Sequence, residues 1–289
     1  MRVLKRKKGR EGYFYLQHSF RKGGKVVTKE AYLGKKIPEN IEEIKQNFMR
    51  KIKQDLYAKL EKIRESFKKE WDKLPETAKK REIEEIAIAF TYNTDAIEGS
   101  TITLEETRGI IQDKISPNNR PLKDIKEAEA HYKAFLGILE SKEKISSNLL
   151  LKWHKEIFQE TKPDIAGKFR NYLVRIADYL APDWQDIKNL MSRFIKSANV
   201  KINPAELAAR MHYKFEKIHP FGDGNGRVGR LLMNYILWRN NYPMLIIEYK
   251  NKKSYYKALK KDEESFVNYF LRRYLSVHNR RYLQQRNRR

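Results

Sequence analysis

The 289-residue sequence predicts a mainly α-helical protein with short β elements at two places, and three observations support this. Beyond the amino-terminal region, apolar side chains recur every three or four residues, which is the spacing of one helix face. Helix-start signals occur at Thr103 with Glu106, a capping box, and at Asn203-Pro204, where proline occupies the first turn. Alternating patterns typical of strands are confined to residues 13–34 and 167–183.

The amino-terminal residues 1–38 are predicted to form a basic β-hairpin. Two β-type runs are separated by Lys22-Gly23-Gly24-Lys25, a turn signal in which glycine supplies a positive φ. The tyrosines Tyr13, Tyr15 and Tyr32 could stack nucleobases, or they could simply dock the hairpin on a neighbouring element.

Residues 39–75 are predicted to form one long amphipathic helix that Pro75 ends. Its apolar side chains follow a single stripe: Ile44, Phe48, Ile52, Leu56, Leu60, Ile63, Phe67, Trp71 and Leu74. A stripe of this length can pair with a second copy in a homodimer or pack along the chain's own body, and the sequence leaves both open.

The remaining sequence divides into a helical core, residues 76–250, and a basic helical tail, residues 251–289. Helical patterns cover 82–97, 104–114, 123–141, 147–159, 184–198, 204–217, 227–240 and 253–277. The exception is residues 167–183, where short alternating runs ahead of Pro182 predict extended strands.

Basic residues are concentrated at the two ends of a chain whose formal net charge is +25. Residues 1–36 carry twelve basic and two acidic side chains, and residues 249–289 carry thirteen and three. Five arginines lie near the carboxyl end: Arg280, Arg281, Arg286, Arg288 and Arg289. Such arms fit either solubility, with the high lysine content of heat-adapted proteins, or attraction to nucleic acid or another polyanion.

Several functional classes are excluded by composition. Cysteine is absent, which rules out a disulfide framework, a thiol nucleophile and a thiolate metal site. The histidines show no paired spacing such as HExxH, so a zinc site is not expected. Neither a secretory leader nor an apolar run of bilayer-spanning length is recognised, so a soluble, cytoplasmic protein without a membrane partner is expected.

The chemistry is predicted to lie in residues 216–230, EKIHPFGDGNGRVGR, between two helices. Three glycines within five positions allow a tight turn whose N–H groups converge, and such a turn at a helix N-terminus is an anion site. Arg227 and Arg230 lie at the positive end of that helix, where two cations require an anionic partner. Asp223 can hold Mg²⁺ against phosphate oxygens, and His219 can take a proton near neutral pH. These residue types suit the transfer of part of a nucleotide to a hydroxyl group.

Residues 219–230, HPFGDGNGRVGR, match in full the HPFx[D/E]GNGRxxR signature of Fic-domain proteins, and the resemblance covers roughly residues 82–250. Further similarity to Fic sequence lies at Trp153-His154, at Gly167-Lys168-Phe169-Arg170 with Val174-Arg175-Ile176, and at Leu231-Leu232-Met233-Asn234. The resemblance implies a Fic-type helical bundle with a small β-hairpin flap. The amino-terminal hairpin and the long helix lie outside it.

The resemblance implies a protein adenylyltransferase, which moves AMP from ATP to a Ser, Thr or Tyr hydroxyl of a target protein with Mg²⁺ and releases pyrophosphate. His219 would deprotonate the hydroxyl and Asp223 would hold Mg²⁺. The turn Gly224-Asn225-Gly226 would bind the α-phosphate, and Arg227 and Arg230 would bind the β- and γ-phosphates.

Two further expectations concern the edges of this site. The strands at residues 168–176 would form the flap that aligns the target protein by β-addition. Asn234 lies seven residues beyond Arg227 on the same helix face and is a candidate either for nucleotide contact or for capping the core.

A second motif of the family precedes the first. Residues 94–99, TDAIEG, match the inhibitory pattern [S/T]xxxE[G/N], which assigns Thr94, Glu98 and Gly99 to an inhibitory helix over residues 82–99. A glutamate at a helix carboxyl end is electrostatically misplaced unless a cation meets it, and by family analogy that cation is Arg230. Paired with Glu98, Arg230 could not hold the γ-phosphate, and the α-phosphate of ATP would be misaligned for attack.

Other functions remain compatible with the sequence. The same site could remove AMP from a modified target or transfer another phosphate-linked group, although the Gly224-Asn225-Gly226 turn matches the AMP-transferring members. A nucleic-acid-binding regulator that uses the basic termini is a candidate of a different class. The expected partners are ATP and a protein target, with self-modification, homodimerisation and nucleic-acid binding as further alternatives.

Overall fold

The structure is a computed structural model that describes residues 1–9, 11–22, 25–176 and 179–284, and it is mainly α-helical, as predicted. The helices are α1 (Ile41–Lys73), α2 (Glu76–Ile97), α3 (Leu104–Arg108), α4 (Leu122–Glu140), α5 (Ser147–Phe158), α6 (Ile187–Ser197), α7 (Pro204–Ile218), α8 (Asn225–Arg239), α9 (Lys252–Leu259) and α10 (Glu263–His278). The strands are β1 (Arg2–Lys8), β2 (Glu11–Lys22), β3 (Lys25–Gly34), β4 (Arg175–Ile176) and β5 (Tyr179–Leu180). Two compact units, Met1–Glu61 and Lys62–Arg289, meet within α1. None of the helices in the described residues is both long and apolar enough for a membrane span.

The first unit contains a three-stranded antiparallel sheet in the order β1-β2-β3. The predicted hairpin is present as β2 and β3, while its Gly23-Gly24 turn lies outside the described residues. Strand β1 is an addition that the sequence did not predict, because Arg2–Lys8 is mostly charged and lacks the alternation of a half-buried strand. Leu16 and Leu33 are the buried apolar side chains of this sheet.

Helix α1 has nearly the bounds predicted for it, and its last turn ends just before Pro75. In the second unit, its carboxyl-terminal turns pack against the chain's own body through aromatic side chains. The ring centroids of Trp71 and Trp238 lie 5.2 Å apart in an edge-to-face arrangement, and those of Phe67 and Tyr282 lie 6.0 Å apart. Of the two alternatives that the sequence left open, this half of the apolar stripe packs along the chain's own body.

Helix α8 lies at the centre of the second unit, where every residue from Asn225 to Leu237 is buried. A helix that is buried on all sides is expected to be apolar on all sides. Four polar side chains of α8 break that rule, namely Asn225, Arg227, Arg230 and Asn234. Each therefore needs a partner inside the protein, since burying an unpaired polar group is costly.

The predicted helix over residues 253–277 is wrong, because the structure has two helices there, α9 and α10. The break falls at Asp262, whose carboxylate accepts hydrogen bonds from the Ser265 backbone N–H at 3.0 Å and from the Ser265 hydroxyl at 2.6 Å. An aspartate that satisfies free N–H groups in this way starts a new helix instead of continuing the old one.

The prediction of strands over residues 168–176 is also largely wrong, because strand pairing is confined to β4 and β5. The buried side chain of Arg170 explains the irregular segment before β4. Its Nε, NH1 and NH2 atoms donate to the carbonyl oxygens of His219, Tyr172 and Pro182 at 2.8, 2.8 and 2.6 Å. The Arg170 N–H also donates to the Pro220 carbonyl oxygen at 2.9 Å, so Arg170 and Tyr172 direct backbone groups to these partners and not to a neighbouring strand. Residues 177–178, between the two strands, lie outside the described residues.

We predict that replacing Asp262 by alanine lowers the free energy of unfolding by about 1 kcal/mol, because the first turn of α10 loses its side-chain acceptor. Asp262→Asn should keep most of the stability, since asparagine caps helices equally well. Denaturant titration of the three proteins measures the difference. Equal losses for the two variants would show that the negative charge, and not the cap, stabilises this helix start.

Candidate active site

The predicted functional segment forms a tight turn between α7 and α8. His219 ends α7 in the left-handed conformation, with φ of +50°, and Gly224 precedes α8 with φ of +75°. Helix α8 begins at Asn225 and not near Arg227, so Gly226 belongs to its first turn and the prediction of a non-helical Gly226 is wrong. The N–H groups of this first turn have no acceptor within the helix and face the turn, as an anion site requires.

Close approach of other groups explains two of the glycines. A side chain at Gly224 would place its Cβ 2.1 Å from the Phe158 ring. At Gly226 a Cβ would come within 2.2 Å of the Glu98 carboxylate. Both distances lie far below van der Waals contact, so the turn and the carboxylate can occupy this space only because these residues lack side chains.

The side chain of Asn225 closes the turn. Its Oδ1 accepts a hydrogen bond from the Phe221 N–H at 2.9 Å, and its Nδ2 donates to the Phe221 carbonyl oxygen at 2.9 Å. Both ends of the amide are therefore engaged, and Asn225 can offer an anion only its backbone N–H. The sequence assigned Asn225 to phosphate binding, and the geometry adds a role in holding the turn.

His154 supports the same turn from α5. Its Nδ1 accepts from the Gly167 N–H at 2.9 Å, so the ring proton lies on Nε2, which faces the Asp223 carbonyl oxygen at 3.0 Å. Burial lowers the pKa of the His154 imidazole to about 4, so the ring is neutral at neutral pH. A neutral ring with one donor and one acceptor is what these two bonds require.

His219, the predicted base, is held through its backbone. Its carbonyl oxygen accepts the bond from Arg170, and its left-handed conformation turns the side chain away from the α7 axis. Burial lowers the pKa of the His219 imidazole to about 4. The ring is thus neutral at pH 7 and can accept a proton from a substrate hydroxyl.

The predicted contact between Glu98 and Arg230 is present in the structure. The Arg230 side chain is 1% exposed, and its NH2 lies 2.5 Å from the Glu98 Oε1. One guanidinium nitrogen makes this contact, whereas a bidentate pair was expected. The same nitrogen lies 3.4 Å from the carbonyl oxygen of Thr94, and NH1 lies 3.5 Å from the Tyr255 hydroxyl. Burial acts to raise the pKa of Glu98, but the positive charge of Arg230 outweighs it and keeps that pKa below its ordinary value.

Gly99 directly follows Glu98 and ends this segment with φ of +100°, a conformation that favours glycine. Glu98 is thus not a residue of α2 itself. It caps the helix, with its N–H directed at carbonyl oxygens of the last turn. The predicted inhibitory helix over 82–99 is present as the longer α2, with Thr94 inside it and Glu98 and Gly99 just beyond its end.

Arg227 is held by a second carboxylate that the sequence reasoning missed. Its NH1 donates to Glu127 of α4, its Nε lies 4.0 Å from Asp95, and its guanidinium stacks over the Phe158 ring at 4.6 Å. A signal for Glu127 was present, because it lies four residues before His131 on the buried face of α4. A carboxylate on such a face is rarely buried without a cation.

Asp223, the predicted metal ligand, contacts a lysine that no sequence signal indicated. Lys162 Nζ lies 2.8 Å from the Asp223 Oδ2 and 2.8 Å from the Glu127 Oε1. In the described residues no group of three or more His, Asp or Glu could hold a metal ion alone. A single accessible carboxylate next to a phosphate-sized turn still fits Mg²⁺, which often uses one or two carboxylates together with substrate phosphates.

Asn234 lies away from the pocket. It is fully buried, its Nδ2 donates to the carbonyl oxygens of Arg230 and Leu245 at 3.2 Å, and its Oδ1 accepts from the Leu245 N–H at 2.9 Å. With every polar atom of the side chain engaged, its geometry fits the core-capping role and not the nucleotide contact.

The charged groups surround one cavity of about 190 Å³. Its lining carries both signs and includes Glu98, Glu127, Asp223, Lys123, Lys162 and Arg227. Of the predicted site residues, Glu98, Asp223 and Arg227 line this cavity, whereas His219 and Arg230 are not among its lining residues.

Comparison with known proteins agrees with this geometry. Residues 144–237 match the model of the Fic/DOC family. A protein named Protein adenylyltransferase Fic from Nematostella vectensis is 33% identical over 201 residues, which are 67% of this chain and 47% of that protein. The chain belongs to the Fic/DOC family. A protein of the same name from Culex quinquefasciatus is 34% identical over 201 residues, which are 67% of this chain and 40% of that protein. The chain thus spans less than half the length of these relatives.

Among solved structures, Fic-1 (residues 134–508) from C. elegans has a TM-score of 0.69 and 27% sequence identity, covering 84% of this chain and 76% of that one. A Fic-domain-containing signalling protein from Bacteroides thetaiotaomicron has a TM-score of 0.66 at 24% identity, covering 78% of this chain and 95% of that one, which supports the fold alone. Glu98 and Glu127, the carboxylates that face the two arginines, both precede the residues matched by the Fic family model.

We predict that the His219 ring stays neutral from pH 8 down to about pH 5, because its pKa in the folded Fic domain is about 4. Unfolded, the imidazole has a pKa of about 6.5, so this group contributes stability above pH 6.5 that is lost as the pH falls toward 4. Nitrogen NMR of histidine-labelled protein, assigned with His219→Asn, follows the titration. A midpoint near 6.5 in the folded protein would contradict the prediction.

Proposed function

We propose that this Fic-family chain is a protein adenylyltransferase that moves AMP from ATP to a Ser, Thr or Tyr hydroxyl of a target protein. The observation that carries the proposal is that one short segment, from the end of α7 into the first two turns of α8, holds a neutral His219, the free N–H groups of α8 and two buried arginines. The relatives that carry the name protein adenylyltransferase support the same activity.

The roles of the residues follow from their positions. His219 accepts the proton of the target hydroxyl, whose oxygen attacks the α-phosphorus of ATP. A bond forms between that oxygen and the α-phosphorus, the bond from the α-phosphorus to the bridging oxygen breaks, and pyrophosphate leaves. The N–H groups of Asn225 and Gly226 stabilise the charge on the α-phosphate, Gly224 allows the turn that presents them, and Arg227 and Arg230 bind the terminal phosphates. Asp223 would hold Mg²⁺, which neutralises phosphate charge when bound.

We further propose that Glu98 inhibits this reaction. In the structure, Glu98 occupies the guanidinium of Arg230 that the γ-phosphate needs; Arg230 is buried, while the Glu98 side chain is 23% exposed. Because Arg230 is buried and cannot turn to solvent, a nucleotide must displace Glu98 to reach its guanidinium. With Arg230 engaged, ATP lacks one clamp on its terminal phosphate, and the α-phosphate is displaced from the line of attack.

The target protein is proposed to dock on the flap at residues 168–176. The segment exposes Tyr172 and Leu173 and leads into β4, whose short pairing with β5 leaves a strand edge. A lysate protein or the chain itself could present the hydroxyl. Three further parts of the proposal are homodimerisation through the half-buried stripe of α1, a cytoplasmic location and AMP removal by the same site. The proposed adenylyl transfer depends on none of them.

The test is incubation with Mg²⁺ and ATP labelled on the α-phosphate, with γ-labelled ATP in parallel. We predict that Glu98→Gly raises label transfer ten- to a hundredfold, because Arg230 becomes available to the nucleotide. Asp124→Asn is the matched control, since Asp124 lines the same cavity but contacts Thr101 and not Arg230. Glu98→Gly combined with His219→Ala should lose the transfer.

Each outcome tests a different part of the proposal. Transfer of the γ label in place of the α label would replace adenylyl transfer by phosphoryl transfer. Equal rates for wild type and Glu98→Gly at saturating ATP would reject the inhibitory role of Glu98. Transfer that persists without His219 would remove this residue from the role of base.

Nucleic-acid binding by the amino-terminal sheet is the second candidate, and one observation favours it. Tyr13, Tyr15 and Tyr32 form a cluster on one face, with ring centroids 6.2 and 5.4 Å from that of Tyr32, and Tyr32 is 58% exposed. The Arg6 guanidinium lies 5.0 Å from the Tyr15 ring. Exposed aromatic rings among cations are a platform on which single-stranded bases stack. The arginines Arg286, Arg288 and Arg289, which the sequence also offered for this role, lie outside the described residues.

We predict that Tyr32→Ala weakens binding of a labelled single-stranded oligonucleotide at least fivefold, because one stacking surface is lost. Fluorescence anisotropy at two salt concentrations measures the affinity and its salt dependence. Tyr249→Ala is the control, since Tyr249 is similarly exposed but lies in the second unit. Equal affinities for both variants, or no binding by wild type, would leave solubility as the role of the basic sheet.

A further inference from the structure

Lys162 contacts the carboxylate of Asp223, the residue proposed to hold Mg²⁺. Its Nζ is 2.8 Å from the Asp223 Oδ2, and the other oxygen of this carboxylate accepts the Gly224 N–H at 2.6 Å. Although burial opposes it, the hydrogen bond from Lys162 lowers the pKa of the Asp223 carboxyl. One oxygen of this carboxylate is bonded to the turn and the other to an ammonium, so a metal ion at Oδ2 would compete with Lys162 for that oxygen.

Lys162 has two further anchors that do not involve Asp223. Its Nζ lies 2.8 Å from the Glu127 Oε1 and 4.8 Å from the centre of the Phe158 ring. Glu127 is in turn fixed by Arg227 and by the Thr161 hydroxyl, which donates to its Oε1 at 3.0 Å. An ammonium group has three donors on a flexible stem, so it can leave Asp223 and keep Glu127.

We propose that Lys162 is a positioning residue that occupies Asp223 as a tethered cation before the metal–nucleotide binds, and that Mg²⁺ must displace it toward Glu127. This inference rests on the proposed function in one respect only, namely that Asp223 is the protein ligand of Mg²⁺. Two cations cannot share one carboxylate oxygen at short range without strong repulsion, so the two occupancies exclude each other.

The arrangement has a physical purpose in the absence of ligand. Asp223 faces the same cavity as Glu98 and Glu127, and its negative charge acts to raise the pKa of Glu98. The ammonium of Lys162 offsets part of this repulsion and keeps Asp223 ionised and directed at the site. The cost is that metal binding becomes an exchange of one cation for another, which weakens the effect of Mg²⁺ on nucleotide affinity.

The experiment compares nucleotide binding with and without Mg²⁺. Calorimetry of the full chain with the ATP analogue whose α,β-bridging oxygen is a methylene group gives a Kd in excess Mg²⁺ and another in EDTA. The metal enhancement is the Kd in EDTA divided by the Kd in excess Mg²⁺. We expect Lys162→Met to raise this enhancement about fivefold, the effect of removing one partly exposed ion pair. Lys162→Arg should lower it, because a guanidinium fork holds a carboxylate with two hydrogen bonds.

Two controls separate competition at Asp223 from a general loss of charge. Lys123→Met removes the same charge from the lining of the same cavity, and its enhancement should stay within about twofold of wild type. In an Asp223→Asn background, the effect of Lys162→Met should disappear, since the two residues then share no contact to lose.

An unchanged enhancement in Lys162→Met, the same rise in Lys123→Met, or a rise that persists without Asp223 would each overturn the proposal. If Lys162→Met does not fold, an enhancement in Lys162→Arg equal to wild type overturns it as well. The readout needs no group transfer. If calorimetry gives the expected enhancements but no α label is transferred, adenylyl transfer is rejected and the role of Lys162 is kept.

Discussion

Two arginines buried at the positive end of a helix are the constraint on which the site depends. Arg227 and Arg230 lie in the first two turns of α8, where the helix dipole disfavours cations and water is excluded. Each guanidinium must find negative charge inside the protein or the fold would bear an unpaired buried cation, which costs several kcal/mol. The structure meets this need with Glu98 for Arg230 and with Glu127 for Arg227.

The same constraint links folding to the proposed chemistry. A polyphosphate is the natural substitute for these carboxylates, because it brings negative charge to both arginines and oxygens to the N–H groups of α8. A site that is stable without ligand must therefore already hold substitutes for that ligand. Glu98 and Glu127 take the place of phosphate oxygens, and Lys162 takes the place of a cation on Asp223. The contacts that stabilise the site without ligand are therefore the same ones that the proposed inhibition uses.

The sequence predicted the local parts of this site well and its long-range parts poorly. The helices and the turn after His219 follow from periodicity and glycine spacing, and the pairing of Glu98 with Arg230 follows from the resemblance to Fic-domain proteins. Lys162 sits in a loop without periodicity, so nothing in the sequence indicates that it reaches Asp223. Arg170 shows the same limit, because its side chain bonds to the carbonyl oxygens of His219 and Pro182, which are distant in sequence, as well as to that of Tyr172.

The errors at element boundaries have similarly specific causes. Asp262 interrupts a good helical pattern because its carboxylate serves free N–H groups better than the helix could. Strand β1 forms although its residues are mostly charged, since pairing with β2 satisfies its backbone whatever its side chains are. In both places a hydrogen bond decided the structure where hydrophobic periodicity pointed elsewhere.

The carboxylates that pair with the two arginines differ in how easily they can move away from them. Glu127 lies inside α4, is buried, and is fixed by Arg227, Lys162 and Thr161, so withdrawing it would break several contacts and disturb a helix. Glu98 lies just beyond the last turn of α2 and is followed by Gly99, whose positive φ makes the backbone there adaptable. A rotation at this junction could free Arg230 without unwinding α2. The structure thus keeps Arg227 permanently positioned and makes the engagement of Arg230 the variable step.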